Sequence, residues 1–223
     1  MDQGEGPVQI CPNGLTAEEI RGMVGDSPLM LEVGSHEGTD TARFLEAMPG
    51  AIIHCFDPEE RANEVFRDTV GRDPRVRLYE VAVADIDGLR RFYASTGRAG
   101  SRADWTFSGS VKRPTGHLAR SPEIKFKPPV NIPCVRLDTW LNAHPDITCI
   151  DFAWVDIQGA QVEFIAGATR GLSITRYLYI ECHRVPQYEG EPTRDELVAM
   201  LPEFKPLGVY GDENILFRNG RTA

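Results

Sequence analysis

No stretch of this 223-residue chain approaches the roughly 18 consecutive apolar residues that a membrane-spanning helix needs. The amino terminus, MDQGEGPVQICPNG, has no basic segment leading into an apolar run, so neither a signal nor a transit peptide is read there and a cytoplasmic chain is expected. The cysteines (Cys11, Cys55, Cys134, Cys149 and Cys182) form no C-x-x-C pair. That argues against zinc and against a disulfide framework, and for small buried thiols. Positive charge is scarce, with 24 Lys and Arg against 33 Asp and Glu, a formal net charge of −9. Affinity for a phosphate backbone comes mostly from Lys and Arg, so nucleic acid is not expected as a partner, and neither is a membrane.

What is present is an ordinary globular composition, 41% hydrophobic and 26% charged, in a length that one layered domain accommodates. Residues 1–14, rich in Gly and Pro, read as a flexible arm, and residues 15–223 as a single domain. Thr16 and Glu19 have capping-box spacing, with Leu15 and Ile20 at the two positions of a hydrophobic staple, so a helix starts there. From residue 28, short apolar runs alternate with helix-period segments: PLMLEV, then 39–48, AIIHCF, then 59–69, and VRLYEVAV as one strand. After LRRFYA and a long irregular stretch come IPCVRL, IDFAWVD, helix QVEFIAGA, RYLYIE, helix TRDELVAML and two strands around FKPLGV and NILFR. Strands too apolar for a solvated face, alternating with helices, predict an α/β fold. Its sheet is mostly parallel, covered by helices on both faces, and closed by a C-terminal antiparallel hairpin.

The first strand runs into the turn Gly34, Ser35, His36, Glu37, Gly38. In open α/β sheets ligands sit at the carboxyl ends of strands, where the topology reverses. A dinucleotide fingerprint needs a second glycine where this chain has His36, so a pyrophosphate fits poorly. S-adenosylmethionine carries an adenosine without phosphate, and its zwitterionic end suits Glu32 together with the backbone N–H groups of the bend. Asp57, closing the second strand before Pro58, stands where a carboxylate accepts ribose hydroxyls. Ala82, at the end of the third strand, and Asp156, at the end of a later one, complete the expected cofactor set. Taken singly, the glycines also read as a tight turn with close helix packing, and Asp57 as a helix cap.

The phrases LEVGSHEGTDTARFL, HCFDPEERANEVF, LYEVAVADIDG, VRLDTWL, FAWVDIQGAQVEFIAGA and RYLYIE together resemble the FkbM-type S-adenosylmethionine-dependent methyltransferases, over about residues 28 to 218. DWTFSGSVKRPTGHL and RYLYIECHRVPQYEG resemble one bacterial subgroup of that family. The resemblance implies a Rossmann-like class I methyltransferase fold and methyl transfer, most often to a hydroxyl of a sugar or secondary metabolite. One departure is Gln161, where the family usually has Glu; it reads as a first-turn helix residue that Gln replaces at small cost.

Methyl transfer needs in-line alignment in a dry pocket and removal of one proton. Candidates for the base are Asp156, Glu181 and His183, at the ends of the last two parallel strands. Each also has a structural reading as a cap, an ion-pair partner or a satisfied neighbour. The same side chains suggest Mg²⁺, but hard-cation sites commonly gather more carboxylates than these, and no metal is expected. The stretch 95–131 holds Lys or Arg at 98, 102, 112, 113, 120, 125 and 127 against Asp104 and Glu123. It is expected to fold as a lid over a small-molecule or glycan acceptor. Trp105 would offer a flat face, Ser108, Ser110 and His117 donors, and Lys112 a cation for an acidic group on the acceptor. Alternatives are N-methylation of an amino sugar or peptide, a cofactor-binding subunit without catalysis, and an NAD-dependent oxidoreductase.

Overall fold

The computed structural model describes residues 9–98, 105–211 and 213–221. The chain begins with β1 (Gln9–Cys11) and α1 (Ala17–Val24), then alternates through β2 (Leu29–Val33), α2 (Thr39–Ala47), β3 (Ile52–Phe56), α3 (Glu60–Thr69) and β4 (Val76–Tyr79). An excursion follows: β5 (Ala82–Val83), β6 (Gly88–Phe92), β7 (Ser95–Arg98), α4 (Gly116–Arg120), β8 (Ile124–Phe126), β9 (Val130–Val135) and α5 (Leu137–Asn142). The chain then returns through β10 (Ile150–Val155), α6 (Gln161–Gly167), α7 (Thr169–Ser173), β11 (Thr175–Glu181), α8 (Arg194–Met200), β12 (Phe204–Tyr210) and β13 (Asn214–Asn219).

Eight strands form one sheet in the order β1-β12-β13-β11-β10-β2-β3-β4. Only β13 is antiparallel to its neighbours, paired to both β11 and β12. The order reverses between β2 and β10, which lie side by side and parallel, so the switch-point crevice opens beyond Val33 and Val155. Alternation along the strands sends Leu31, Val33, Ala153 and Val155 to one face, packed under α5, α6 and α7. Met30, Ile53, Phe152 and Trp154 go to the other face, under α1, α2 and α3. Fully buried Phe44, Phe66 and Phe164 anchor these helices. Truncating any one to Ala would cost roughly 3–5 kcal/mol. The capping box of Thr16 and Glu19 is present as expected, with Glu19 N–H donating to Thr16 Oγ1 at 3.2 Å.

Three expectations change. The arm is ordered where it meets the sheet, because Gln9–Cys11 pairs with β12, Ile10 opposite Val209; residues 1–8 lie outside the described residues. VRLYEVAV is two strands: beyond Tyr79 the chain turns, and Ala82 and Val83 pair with Cys134 and Val135 in a separate sheet ordered β5-β9-β6. The long stretch is not irregular throughout, since β7 and β8 pair and α4 docks through a bridge between Pro114 and Tyr188. Residues 99–104 of that stretch, with Arg102 and Asp104, lie outside the described residues, as does the side chain of Arg98. Cys55, Cys134 and Cys182 are buried free thiols. No helix among the described residues is long and apolar enough to cross a membrane.

Candidate active site

The three inner strands β2, β3 and β10 end side by side, and the chain leaving each is tied to its neighbour. The N–H groups of Gly34 and Ser35 both donate to Phe56 O, at 2.8 and 3.2 Å, and Asp156 N–H donates to Val33 O at 2.9 Å. Gly34 has φ +89°, and a Cβ there would stand 1.7 Å from Asp156 O. Only glycine allows the strand ends to approach this closely. The result is a cleft with an empty volume of about 690 Å³. Its walls are apolar, from Phe56, Val81, Val83, Phe92 and Ile157, and its polar rim includes Asp57, Glu59, Asp156 and Gln158.

Asp57 is buried, and its two oxygens accept the N–H groups of His36 and Glu59, each at 2.8 Å. Burial pushes its carboxyl up to about 6, opposed by those two bonds. Each oxygen keeps a free lone pair, so a diol entering the cleft meets two acceptors on one carboxylate. Pro58 and Ala82 also line the cleft.

Other members of the expected cofactor set lie elsewhere. Glu32 faces away: Val33 lines the cleft, so strand alternation turns residue 32 toward α2. There it accepts Thr41 Oγ1–H at 2.6 Å and the Cys55 thiol at 3.7 Å. Full burial pushes its carboxyl up to about 8. Gly38 does not line the cleft either. At φ +79° it begins α2, and a Cβ would stand 2.7 Å from Val70 Cγ2 and 2.9 Å from Phe66 Cδ2. Its glycine serves helix packing. Ser35 is buried behind the bend, its Oγ without a partner.

Of the candidate bases, Asp156 alone lines the cleft, where it is exposed. Glu181 and His183 are buried behind Gln158, a residue the sequence reading passed over. The Gln158 amide donates to Asp156 Oδ1 at 2.7 Å and to Glu181 Oε1 at 3.0 Å. Its own oxygen lies 3.0 Å from the Tyr188 hydroxyl. His183 is clasped on both sides, with Nε2 3.3 Å from Glu181 Oε1 and Nδ1 2.6 Å from Glu191 Oε1. Glu191 is itself fixed, because Oε2 accepts the N–H groups of Gln187 at 2.6 Å and Tyr188 at 3.0 Å. A carboxylate against Nδ1 puts a proton on that nitrogen and leaves Nε2 to share one with Glu181. Burial, then the charges of Asp156 and Glu191, hold the Glu181 carboxyl well above its usual range. Gln161, the departure from the family pattern, is buried and donates from Nε2 to Glu181 O at 3.0 Å. An ionised Glu in that position would oppose the carbonyl. Among the described residues no three His, Cys, Asp or Glu side chains converge to hold a metal ion.

The stretch expected to form a lid lines one side of the cleft with Thr106, Phe107, Gly109, Ser110 and Val111. The aromatic wall is Phe107, not Trp105, whose Nε1–H is turned inward to Ser108 Oγ at 3.0 Å. Ser108 is buried, and its N–H donates to Ser95 Oγ. Ser110 does line the cleft, and its hydroxyl donates to Gln158 O at 2.6 Å. His117 is buried inside the lid against Phe126 and Tyr188. Lys112 forms an ion pair with Glu163 of α6, and no Lys or Arg of that stretch lines the cleft among the described residues.

A mostly parallel sheet reversing beside β2, with a glycine bend and a buried aspartate on adjoining strand ends, defines a Rossmann-like methyltransferase that uses S-adenosylmethionine. The Methyltransferase FkbM domain matches residues 32–206, and the chain belongs to that family. Among similar proteins is the 2-O-methyltransferase NoeI of Sinorhizobium fredii (strain NBRC 101917 / NGR234). It is 36% identical over 197 residues, which cover 86% of this chain and 79% of NoeI. Two solved structures share the fold. EvdMO1 has a TM-score of 0.50 and 13% identity, covering 91% of this chain and 40% of that one. A putative rRNA-methylase from Clostridium thermocellum has a TM-score of 0.50 and 9% identity, covering 91% and 92%.

Proposed function

We propose that this chain transfers a methyl group from S-adenosylmethionine to a hydroxyl oxygen of a sugar or sugar-bearing metabolite. The observation that carries this is the charge of the cleft: its described lining holds Asp57 and Asp156, with Glu59 paired to Arg61 at 2.8 Å, and no Lys or Arg. Such a pocket repels a pyrophosphate and attracts a sulfonium, which sets a methyltransferase apart from a dinucleotide enzyme. Oxygen as the target draws support from NoeI, a 2-O-methyltransferase.

When bound, the cofactor supplies an activated methyl group whose C–S bond breaks onto sulfur as the acceptor oxygen takes the carbon. Asp57 accepts the ribose hydroxyls, and the Gly34 bend lets backbone approach the methionine end. Asp156 takes the proton from the acceptor hydroxyl and passes it to water, since it is the exposed carboxylate of the cleft. Gln158, Glu181, His183 and Glu191 are positioning residues that fix Asp156 from behind. Phe107 and its lid neighbours exclude water from the displacement.

The test has two stages. Calorimetry with S-adenosylhomocysteine and with NAD⁺ is expected to give binding of the former alone. Incubation with methyl-labelled cofactor and a panel of neutral and amino oligosaccharides should then yield a methyl ether. Preference for NAD⁺ sinks the cofactor assignment, and label found only on amines moves the reaction to nitrogen.

A further inference from the structure

We propose that the groove adjoining the cleft on its lid side binds an oxyanion (a phosphate, sulfate or carboxylate) that the acceptor carries away from its methylated hydroxyl. This rests on the O-methyltransferase reading above. The groove has an empty volume of about 810 Å³ and shares Val111 with the cleft as a common wall. Its two banks are β6 and the lid segment 111–113. They are locked together where Tyr93 N–H donates to Ser110 O at 2.7 Å and Ser110 N–H donates back at 3.3 Å. Since Ser110 also bonds to Gln158 O, the groove is held rigidly to the residues around Asp156.

Four cations border this groove in a chain of net charge −9. Two are already used: Lys112 pairs with Glu163, and Arg90 with Asp85. Arg91 and Arg113, one on each bank, are exposed and make no ion pair with any described residue. The one acid on the wall is exposed Glu189. Two guanidinium groups without an ion-pair partner on the walls of one groove offer an oxyanion positive charge and forked N–H donors. Leu89, 62% exposed beside Arg91, gives an apolar surface for the linking part of the acceptor.

The opposite charge of the two cavities sets the direction of the acceptor. An anionic group is repelled by the carboxylates of the cleft and attracted one cavity away. A molecule with a neutral hydroxyl at one end and an anion at the other is therefore aligned by charge before it is held by contacts.

The experiment compares matched oligosaccharide acceptors, neutral, sulfated and phosphorylated at the end remote from the reactive sugar, on wild type and on the double variant R91A/R113A. Exposed charge pairs are individually weak, but two Arg side chains on one groove should together lower KM for the anionic acceptors by about tenfold. That advantage should shrink with added salt and vanish in the double variant, while kcat and S-adenosylhomocysteine affinity stay unchanged. Equal KM values in wild type, or an advantage that survives in the double variant, overturn the proposal. Free inorganic phosphate or a short RNA that occupies the groove while anionic acceptors gain nothing also overturns it. If no hydroxyl is methylated at all, direct titration of the sulfated oligosaccharide still decides: binding lost in the double variant supports the groove, and no binding to wild type refutes it.

Discussion

Replacing Asp57 by Asn separates cofactor binding from folding, and the structure sets the size of each effect. An amide has one acceptor oxygen where the carboxylate has two, so one of the N–H groups of His36 and Glu59 loses its partner. Stranding a buried donor costs about 1–3 kcal/mol. Against this, the substitution removes a charge that burial resists, as the rise of Asp57 to about 6 attests, so the net loss of stability should be small. For the ligand nothing offsets the loss: bonds from ribose hydroxyls to a carboxylate contribute about 1.5–3 kcal/mol, and each 1.4 kcal/mol is about tenfold in affinity. Calorimetry with S-adenosylhomocysteine near pH 7.5 should give roughly 10- to 100-fold weaker binding, with little change in Tm. The proton adds a second signature. Wild-type affinity should decline as pH falls through about 6, where Asp57 protonates, and that dependence should be missing in the variant. Unchanged affinity in a folded variant would refute the assignment of Asp57 to the ribose.

Two further substitutions test the buried carboxyl groups. Glu32, raised from 4.5 to about 8, binds a proton more tightly folded than unfolded, so its contribution to stability is complete below its ordinary pKa and is lost as pH rises through about 8. Wild-type Tm should therefore fall between those limits, and E32Q should flatten the fall; parallel curves would contradict this. E191Q removes the carboxylate held at 2.6 Å from His183 Nδ1, and steady-state kinetics should give a kcat at least tenfold lower with S-adenosylhomocysteine affinity unchanged, a drop of about 1.4 kcal/mol in transition-state stabilisation. An unaltered kcat would remove Glu191 from the positioning chain.

The framework of the sheet was legible because β2, β3, β10 and β11 are apolar runs buried on both faces, and such runs announce themselves. Asp57 was legible for a local reason, since its place at the end of β3 follows from counting along one strand. What escaped depends on contacts between distant segments. Lys112 reads as a free lid cation until α6 brings Glu163 beside it, and nothing in the sequence singles out Glu191, whose carboxylate only the folded loop brings onto His183. Trp105 reads as the acceptor platform, and only the turn of the segment puts Phe107 against the cleft instead. Glu32 is a different kind of miss. Its inward face follows from the parity of Val33, although an acid beside a glycine bend also suits the ammonium of a zwitterion. The break after Tyr79 carries no strong sequence signal, because Val81, Ala82 and Val83 suit either sheet.

His36 and Gln158 are the non-glycine residues with positive φ among the described residues, at 47° and 49°, and both line the cleft. That conformation costs an ordinary side chain roughly 1–2 kcal/mol, so it persists only where surrounding contacts enforce it. For His36 these are the bond from its N–H to Asp57, the contact of Nε2 with Thr106 Oγ1 at 2.7 Å, and the ring of Phe107 at 4.1 Å. The first joins it to the cofactor side and the other two to the lid, so the side chain is a latch between them. H36G separates the two roles: glycine takes the same backbone without strain and keeps the N–H for Asp57, but loses both lid contacts. The relief of strain and the lost contacts are of similar size, so Tm should hold within a few degrees. Hydrogen exchange over residues 105–111 should quicken severalfold, because the opening of that segment loses a hydrogen bond and a ring contact. If exchange there is unchanged while the fold is intact, the lid is held by its own interior bonds, and His36 shapes only the bend at the end of β2.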